Sequence, residues 1–284
     1  MKSKLLFGCM LFLIVVSYRS LFAQEKGINN KRYLSDIEYK KIDTQQIDFS
    51  QEFWSFLSNN PHSKNRLQQF LSYDCSSVWI TPNLHLFEMP QQNGIIGTNY
   101  QRIQIHISQA DKSKDNPAIY IISGKSKVNS TICDFSGEIE LLALFSYKTP
   151  DSNYSHCASL VGQYILYEDS LQNHSGFFKG VMECSVYIDM ISREIKLDDS
   201  SGAADYYNRT FVGTWTSYAT KITKKCIWGD ERLPYTFGFS SGEGQMIIRD
   251  KYVKNGWQSF NDGSEYVQRV DGKWELKDKW WLRN

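Results

Sequence analysis

The chain has 284 residues, with 32 bases against 31 acids, 41% hydrophobic and 14% aromatic side chains. That is ample apolar content for a packed core, which excludes a disordered chain. The near-neutral balance gives no support to nucleic acid or an anionic membrane as partner, because both recruit a strong positive excess.

The first residues read as a secretory signal. Lys2 and Lys4 form a basic start, Leu5 to Val16 an apolar stretch, and "SYRSLFAQ" a polar region that places cleavage after the small Ala23. The apolar run is shorter than the ~20 residues of a bilayer-spanning helix, so no transmembrane span is expected in the mature chain. "LLFGC" could make Cys9 a lipidated residue, but the apolar run continues past it, and Cys9 reads as filler of that run. Residues 1–23 carry three bases and no acid, which leaves the mature chain at net −2. The expected location is the periplasm, the cell surface or the extracellular medium.

Residues 24–47 are polar and read as an arm. Residues 48–75 form a short helical segment with two predicted helices. The first is "SQEFWSFLSNN", with Ser50 as N-cap and Phe53, Trp54, Phe56 and Leu57 at near-helical spacing; the second is "PHSKNRLQQFLSYD", with Leu67, Phe70 and Leu71 on one face. Residues 76–240 are strand-like and predict an antiparallel β domain. "YQRIQIHIS" alternates, with Ile103, Ile105 and Ile107 to one side and Gln104 and His106 to the other. "AIYIISGKSKV", "GEIELLALFSY", "SLVGQYILYED" and "FFKGVMECSVYID" continue the pattern through short connectors, as in a meander.

One motif recurs in these strands. "FSGEI", "LVGQY", "FKGVM" and "FVGTW" each place an apolar residue two positions either side of a glycine, at Gly137, Gly162, Gly180 and Gly213. At period 2 all three share a face, so each glycine points toward the core between two large side chains. A strand glycine marks a bend or a close backbone approach. Four of them predict a strongly coiled sheet; intervals of 25, 18 and 33 residues are too irregular for a solenoid or propeller. The expected fold is mainly β: a coiled antiparallel sheet closed as a barrel or sandwich, with a calycin-like form among the options.

Residues 241–284 form a Trp-rich tail that either completes the sheet or stands as a hairpin appendage. Asn255-Gly256 and Asp271-Gly272 suit two-residue type I′ turns. With Asp271-Gly272 as the turn, Arg269 faces Trp274 and Val267 faces Leu276, so that Arg269 lies on the Trp274 ring.

Three of these segments, "NPAIYIISGKSKVNSTICDFSGEI", "QNHSGFFKGVMECSVYID" and "FVGTWTSYATKITKKCIWGDERLP…KNGW", resemble stretches that recur in uncharacterised exported proteins of Bacteroidota-type bacteria. The matching stretches fall within residues 100–257. The resemblance implies export and a lineage, and it carries no catalytic residue across. Gly213-x-Trp215 also resembles the lipocalin Gly-x-Trp strand, a likeness of packing, since that strand is the first in lipocalins and comes late here.

Catalytic and metal spacings are missing. The chain has no Gly-x-Ser-x-Gly elbow, no Ser-x-x-Lys, no HExxH, no CxxC and no P-loop. Asp189, Glu194, Asp198, Asp199 and Asp205 read as a solvated loop with no selected pair. A cation site from Asp198, Asp199, Ser201 and Asp205 lacks EF-hand spacing. No cofactor or metal is expected. The mature chain keeps five cysteines, Cys75, Cys133, Cys157, Cys184 and Cys226, an odd number that predicts at most one disulfide and mostly small buried hydrophobes. What remains is aromatic: six of eight tryptophans follow residue 210. Trp215 is expected to plug the core beside Gly213, and Trp228 to lie nearer the surface beside the turn "GDERLP". Trp228, Trp257, Trp274 and Arg269 are the candidate ligand-binding residues. The function expected is non-catalytic binding of a small ligand, glycan or protein partner at the cell envelope. A hydrolase with a dispersed active site and a purely structural envelope protein are the alternatives.

Overall fold

The computed structural model describes residues 47–59, 63–80, 91–147, 157–198, 207–230, 232–241 and 246–283. The signal sequence, the arm up to residue 46, and Asp199, Ser201 and Asp205 lie outside the described residues. Ten strands form one sheet: β1 (Ser63–Asn65), β2 (Gln92–Ile96), β3 (Gln101–Lys112), β4 (Ile119–Val128), β5 (Thr131–Tyr147), β6 (Cys157–Glu168), β7 (Gly176–Asp189), β8 (Glu194–Leu197), β9 (Thr210–Ser217) and β10 (Thr223–Gly229). From β2 to β7 each strand pairs antiparallel with the next, β7 pairs β9, β9 pairs β10, and β10 returns to β2. The sheet therefore closes in a ring, with β1 and β8 as flaps on β5 and β7. The predicted mainly β, coiled antiparallel sheet with a short N-terminal helical segment is what the chain forms.

Closure follows from the alternation. Ile103, Ile105 and Ile107 of β3 point inward with Tyr120 and Ile122 of β4, Phe135 and Ile139 of β5, Tyr164 and Leu166 of β6, and Phe178 and Met182 of β7. Burying one such large side chain contributes about 1.5–3 kcal/mol. All four motif glycines lie on this inner face. At Gly213 an added Cβ would come 2.0 Å from the Lys179 carbonyl oxygen, 2.7 Å from Gly180 Cα and 2.8 Å from the Tyr164 hydroxyl. Gly180 and Gly213 face each other in register. The two glycines thus leave the one space in which the Tyr164 hydroxyl fits. Gly94 does the same at the β2–β10 join, where a Cβ would lie 2.4 Å from Trp228 Cβ. That join is short, from Cys226↔Ile96 to Gly229↔Asn93, and Gln92 pins it by donating to the Arg209 carbonyl and to Asp230, which pairs with Arg209 at 2.6 Å.

A second core lies outside the ring. Helix α1 (Ser50–Ser58) lays Phe53 on Val181 and Val212, and the segment from Leu233 to Phe260 brings Phe239, Ile248 and Trp257 onto Ile95, Tyr100 and Ile227. The N-cap is Phe49, one residue before the predicted Ser50, and Ser50 opens the helix, its N–H donating to the Asp48 carboxylate at 3.0 Å. The second predicted helix is reduced to α2 (Leu67–Phe70), because its first residues pair with β5 as β1. A third helix, α3 (Ser76–Trp79), falls where strand was expected; Val78 and Trp79 join α2 in covering the ring interior.

The tail departs further from expectation. Asn255-Gly256 makes no hairpin: it links α4 (Asp250–Val253) to α5 (Gln258–Asn261), with Gly256 at φ 88°. Asp271-Gly272 does close a hairpin, β11 (Tyr266–Gln268) on β12 (Trp274–Leu276), but one residue out of the predicted register. The Gly272 N–H donates to the Arg269 carbonyl, and the Arg269 N–H to the Lys273 carbonyl. This is a three-residue turn with Gly272 in the left-handed region at φ 83°, and the extra residue flips the pairing. Gln268 faces Trp274, and Val267 faces Glu275.

Candidate functional site

Inward packing of one residue class fixes what the other face of each strand presents. Cross-strand pairing lays three rows over β5, β6, β7 and β9 on the outside of the ring. They are Ser136, Tyr167, Phe177, Thr216; Glu138, Ile165, Lys179, Thr214; and Glu140, Gln163, Val181, Val212. Successive rows are about 7 Å apart, two residues along a strand, and neighbours within a row about 5 Å.

The first row is aromatic. The Tyr167 and Phe177 rings lie 6.0 Å apart at 35°, and Phe177 and Tyr218 6.1 Å apart at 30°. Tyr218 reaches this line because its N–H donates to the Ser175 carbonyl just beyond the end of β7. Tyr167 is 48% exposed, and Phe177 and Tyr218 are half-buried. Each ring is tilted by about a third of a right angle from the next, and the three form a continuous aromatic shelf.

Below the shelf the β5, β6 and β7 residues of the second and third rows floor a groove of about 530 Å³, walled on its far side by Asp48 and by Gln51 and Trp54 of α1. Glu138, Gln163 and Lys179 are exposed there, and Glu140 is half-buried. Gln163 donates to Glu140, and Asp48 accepts from Ser50, so two of the three carboxylates are oriented by neighbours. Lys179 is the one base among the described residues of the lining. Pairing opposite partners of Ile165 puts it about 10 Å from Glu138, two strand intervals away.

The centre of the ring interior is occupied by aromatic side chains. Trp228 stacks on Phe211 at 4.8 Å and 10°, with Tyr164 and Phe178 edge-on at 5.2 and 5.5 Å. These rings fill the place where a ligand-holding β ring keeps its cavity. Toward one end, buried Glu168 accepts hydrogen bonds from Ser126, from Trp215 Nε1 at 2.9 Å and from the Gly176 N–H at 2.8 Å. Burial pushes its carboxyl above the usual range, and those three bonds oppose the shift. At 6% exposure this carboxylate organises the end of the ring and meets almost no solvent.

The residues singled out from sequence fall elsewhere. Trp215 does plug the core beside Gly213. Trp228, expected near the surface, is wholly buried inside the ring, because its strand continues inward parity from Cys226. Trp257 is wholly buried under the outer segment, with its indole N–H on the Tyr100 carbonyl at 2.9 Å and the Arg102 guanidinium 5.4 Å over its ring. Trp274 is 37% exposed on the hairpin, where Arg269 reaches Asp271 at 3.5 Å and Glu275 at 3.9 Å. Two of the three tryptophans have no access to solvent, so the four residues form no common surface. The shelf was missed, although the doublet Phe177-Phe178 announces it: on a strand one of two adjacent aromatics must face out.

Of the five described cysteines, Cys75, Cys133, Cys184 and Cys226 are buried free thiols, and Cys157 is half-buried beside Asp198. Among the described residues no group of three or more His, Cys, Asp or Glu is placed to hold a metal, and no helix is long and apolar enough to cross a membrane. Comparison with models of protein families, with curated proteins and with solved structures finds no match.

Proposed function

We propose that this is an exported carbohydrate-binding protein of the cell envelope that holds a glycan on the outer face of its ring, without catalysis. The observation that carries the reading is the shelf of Tyr167, Phe177 and Tyr218 opening onto a groove lined by carboxylates, an amide and Trp54. A pyranose has an apolar C–H face that stacks on aromatic rings and a rim of hydroxyls that need polar partners. A surface with both, one row apart, matches it, whereas a lipid or hydrophobic small molecule would need an enclosed apolar pocket. The basic and apolar start of the sequence supports export.

Affinity electrophoresis of residues 24–284 through gels carrying a panel of polysaccharides tests the proposal. Retention by at least one glycan is expected, and replacing Tyr167 and Tyr218 by Ala should weaken it about 10-fold or more, since truncating such anchors costs above 1 kcal/mol. Mobility unaffected by every glycan, or retention indifferent to the double variant, would overturn it.

A further inference from the structure

We infer that the glycan this groove selects carries free, protonated amino groups: a cationic amino-sugar polymer, in preference to its N-acetylated form and against polyuronates. This rests on the carbohydrate-binding reading above and goes on to name the substrate class. The argument is charge complementarity next to an uncharged stacking surface. Glu138 and Glu140 lie two residues apart on β5, about 7 Å along the outer face, and Asp48 stands on the opposite wall at the start of α1. Among the described residues of the lining, Lys179, two strand intervals from Glu138, is the one base against these three carboxylates.

The carboxylates are held in place before any ligand arrives. Gln163 orients Glu140, and Asp48 is tied to Ser50. Because Asp48 already answers the positive end of the α1 dipole, the helix terminus does not recruit an anion here. The Glu138 row lies one step, about 7 Å, along the strands from Tyr167 and Phe177, within reach of the substituents of a sugar stacked on those rings. An ammonium group there meets a carboxylate. An acetamide meets the same carboxylate with a neutral group, and a uronate meets it with a like charge.

The test uses three probes at mildly acidic pH: oligomers of glucosamine, their fully N-acetylated counterparts, and oligouronates of similar length. Isothermal titration of residues 24–284 at low salt is expected to give about 5-fold tighter binding of the free-amine oligomer than of the acetylated one. Oligouronates should be weakest, and the preference should fade as salt screens the pairs. In E138Q/E140Q, with folding checked by circular dichroism, the free-amine oligomer should lose that advantage. Equal binding of the amine and acetylated oligomers would overturn this inference and leave the carbohydrate-binding reading standing, as would a preference that E138Q/E140Q retains. Tightest binding of the uronate would overturn it outright. No binding of any of the three by a protein that also ignores the polysaccharide panel would remove both.

Discussion

The Tyr164 hydroxyl gives a test of the ring interior whose sign is opposite to that of most core substitutions. Its ring packs edge-on against the stacked pair Phe211 and Trp228, and the hydroxyl rests over Gly180 and Gly213 with no hydrogen-bond partner among the described residues. Leaving a hydroxyl buried and unpaired costs about 1–3 kcal/mol. Tyr164→Phe removes that cost and opens a void of roughly 20 Å³, worth about 0.5 kcal/mol at the usual penalty per unit of cavity volume. The net expectation is a gain of about 1 kcal/mol, or ~2–4 °C in Tm for a domain of this size. Tyr120→Phe is the contrast: the Tyr120 hydroxyl accepts the Cys75 N–H at 3.1 Å and donates to the Tyr73 carbonyl, so its loss should cost about 1 kcal/mol. Urea titrations followed by far-ultraviolet circular dichroism would read both. If Tyr164→Phe destabilises by as much as Tyr120→Phe, the hydroxyl is satisfied and the reasoning fails.

Two further outcomes are expected. The raised pKa of Glu168 means that its contribution to stability is fullest below the ordinary glutamate range and is lost as pH rises through the folded value. Glu168→Gln, which keeps an acceptor for Trp215 and Gly176, should therefore gain on the wild type as pH rises above the ordinary glutamate range; a difference that stays flat with pH would contradict the burial argument. Among the cysteines, burial pushes the Cys75 and Cys133 thiols up to about 12, and Cys184 and Cys226 lie wholly inside, whereas Cys157 is half-buried beside Asp198 at 3.4 Å. Iodoacetamide at neutral pH, read by peptide mass spectrometry, should modify Cys157 within minutes and the other four only after unfolding; rapid labelling of a second cysteine would refute this.

Where the sequence was legible, one physical constraint acted alone. Period-2 alternation placed Ile103, Ile105 and Ile107 inward without help from neighbours. The same parity, applied to Gly137, Gly162, Gly180 and Gly213, anticipated a coiled sheet before any pairing was known. Trp228 was misjudged because proximity to a turn was weighed above the parity it shares with Cys226. Asp271-Gly272 announced its turn correctly, but the sequence does not distinguish a two-residue from a three-residue loop, and one residue inverts the hairpin's faces. Asn255-Gly256 carries the same local signal and joins two helical turns, since Trp257 is drawn under the outer segment and the chain must follow it. The shelf was harder still. Tyr167 and Phe177 meet only through the β6–β7 register, and Tyr218 joins them only once β9 lies beside β7, so nothing local relates the three.

The join between β2 and β10 has a kinetic meaning. From β2 to β7 each strand pairs with its neighbour in sequence and β9 pairs with β10, but β2 must wait for a partner more than a hundred residues downstream, and the two share only four residue pairs. Closing so long a loop for so few contacts makes this the costliest step in chain entropy. The ring therefore has a seam. A chain emerging from its N-terminus can build most of the meander as it appears, yet it remains an open sheet, with β2 as an unpaired edge, until β10 arrives with Trp228 to fill the centre.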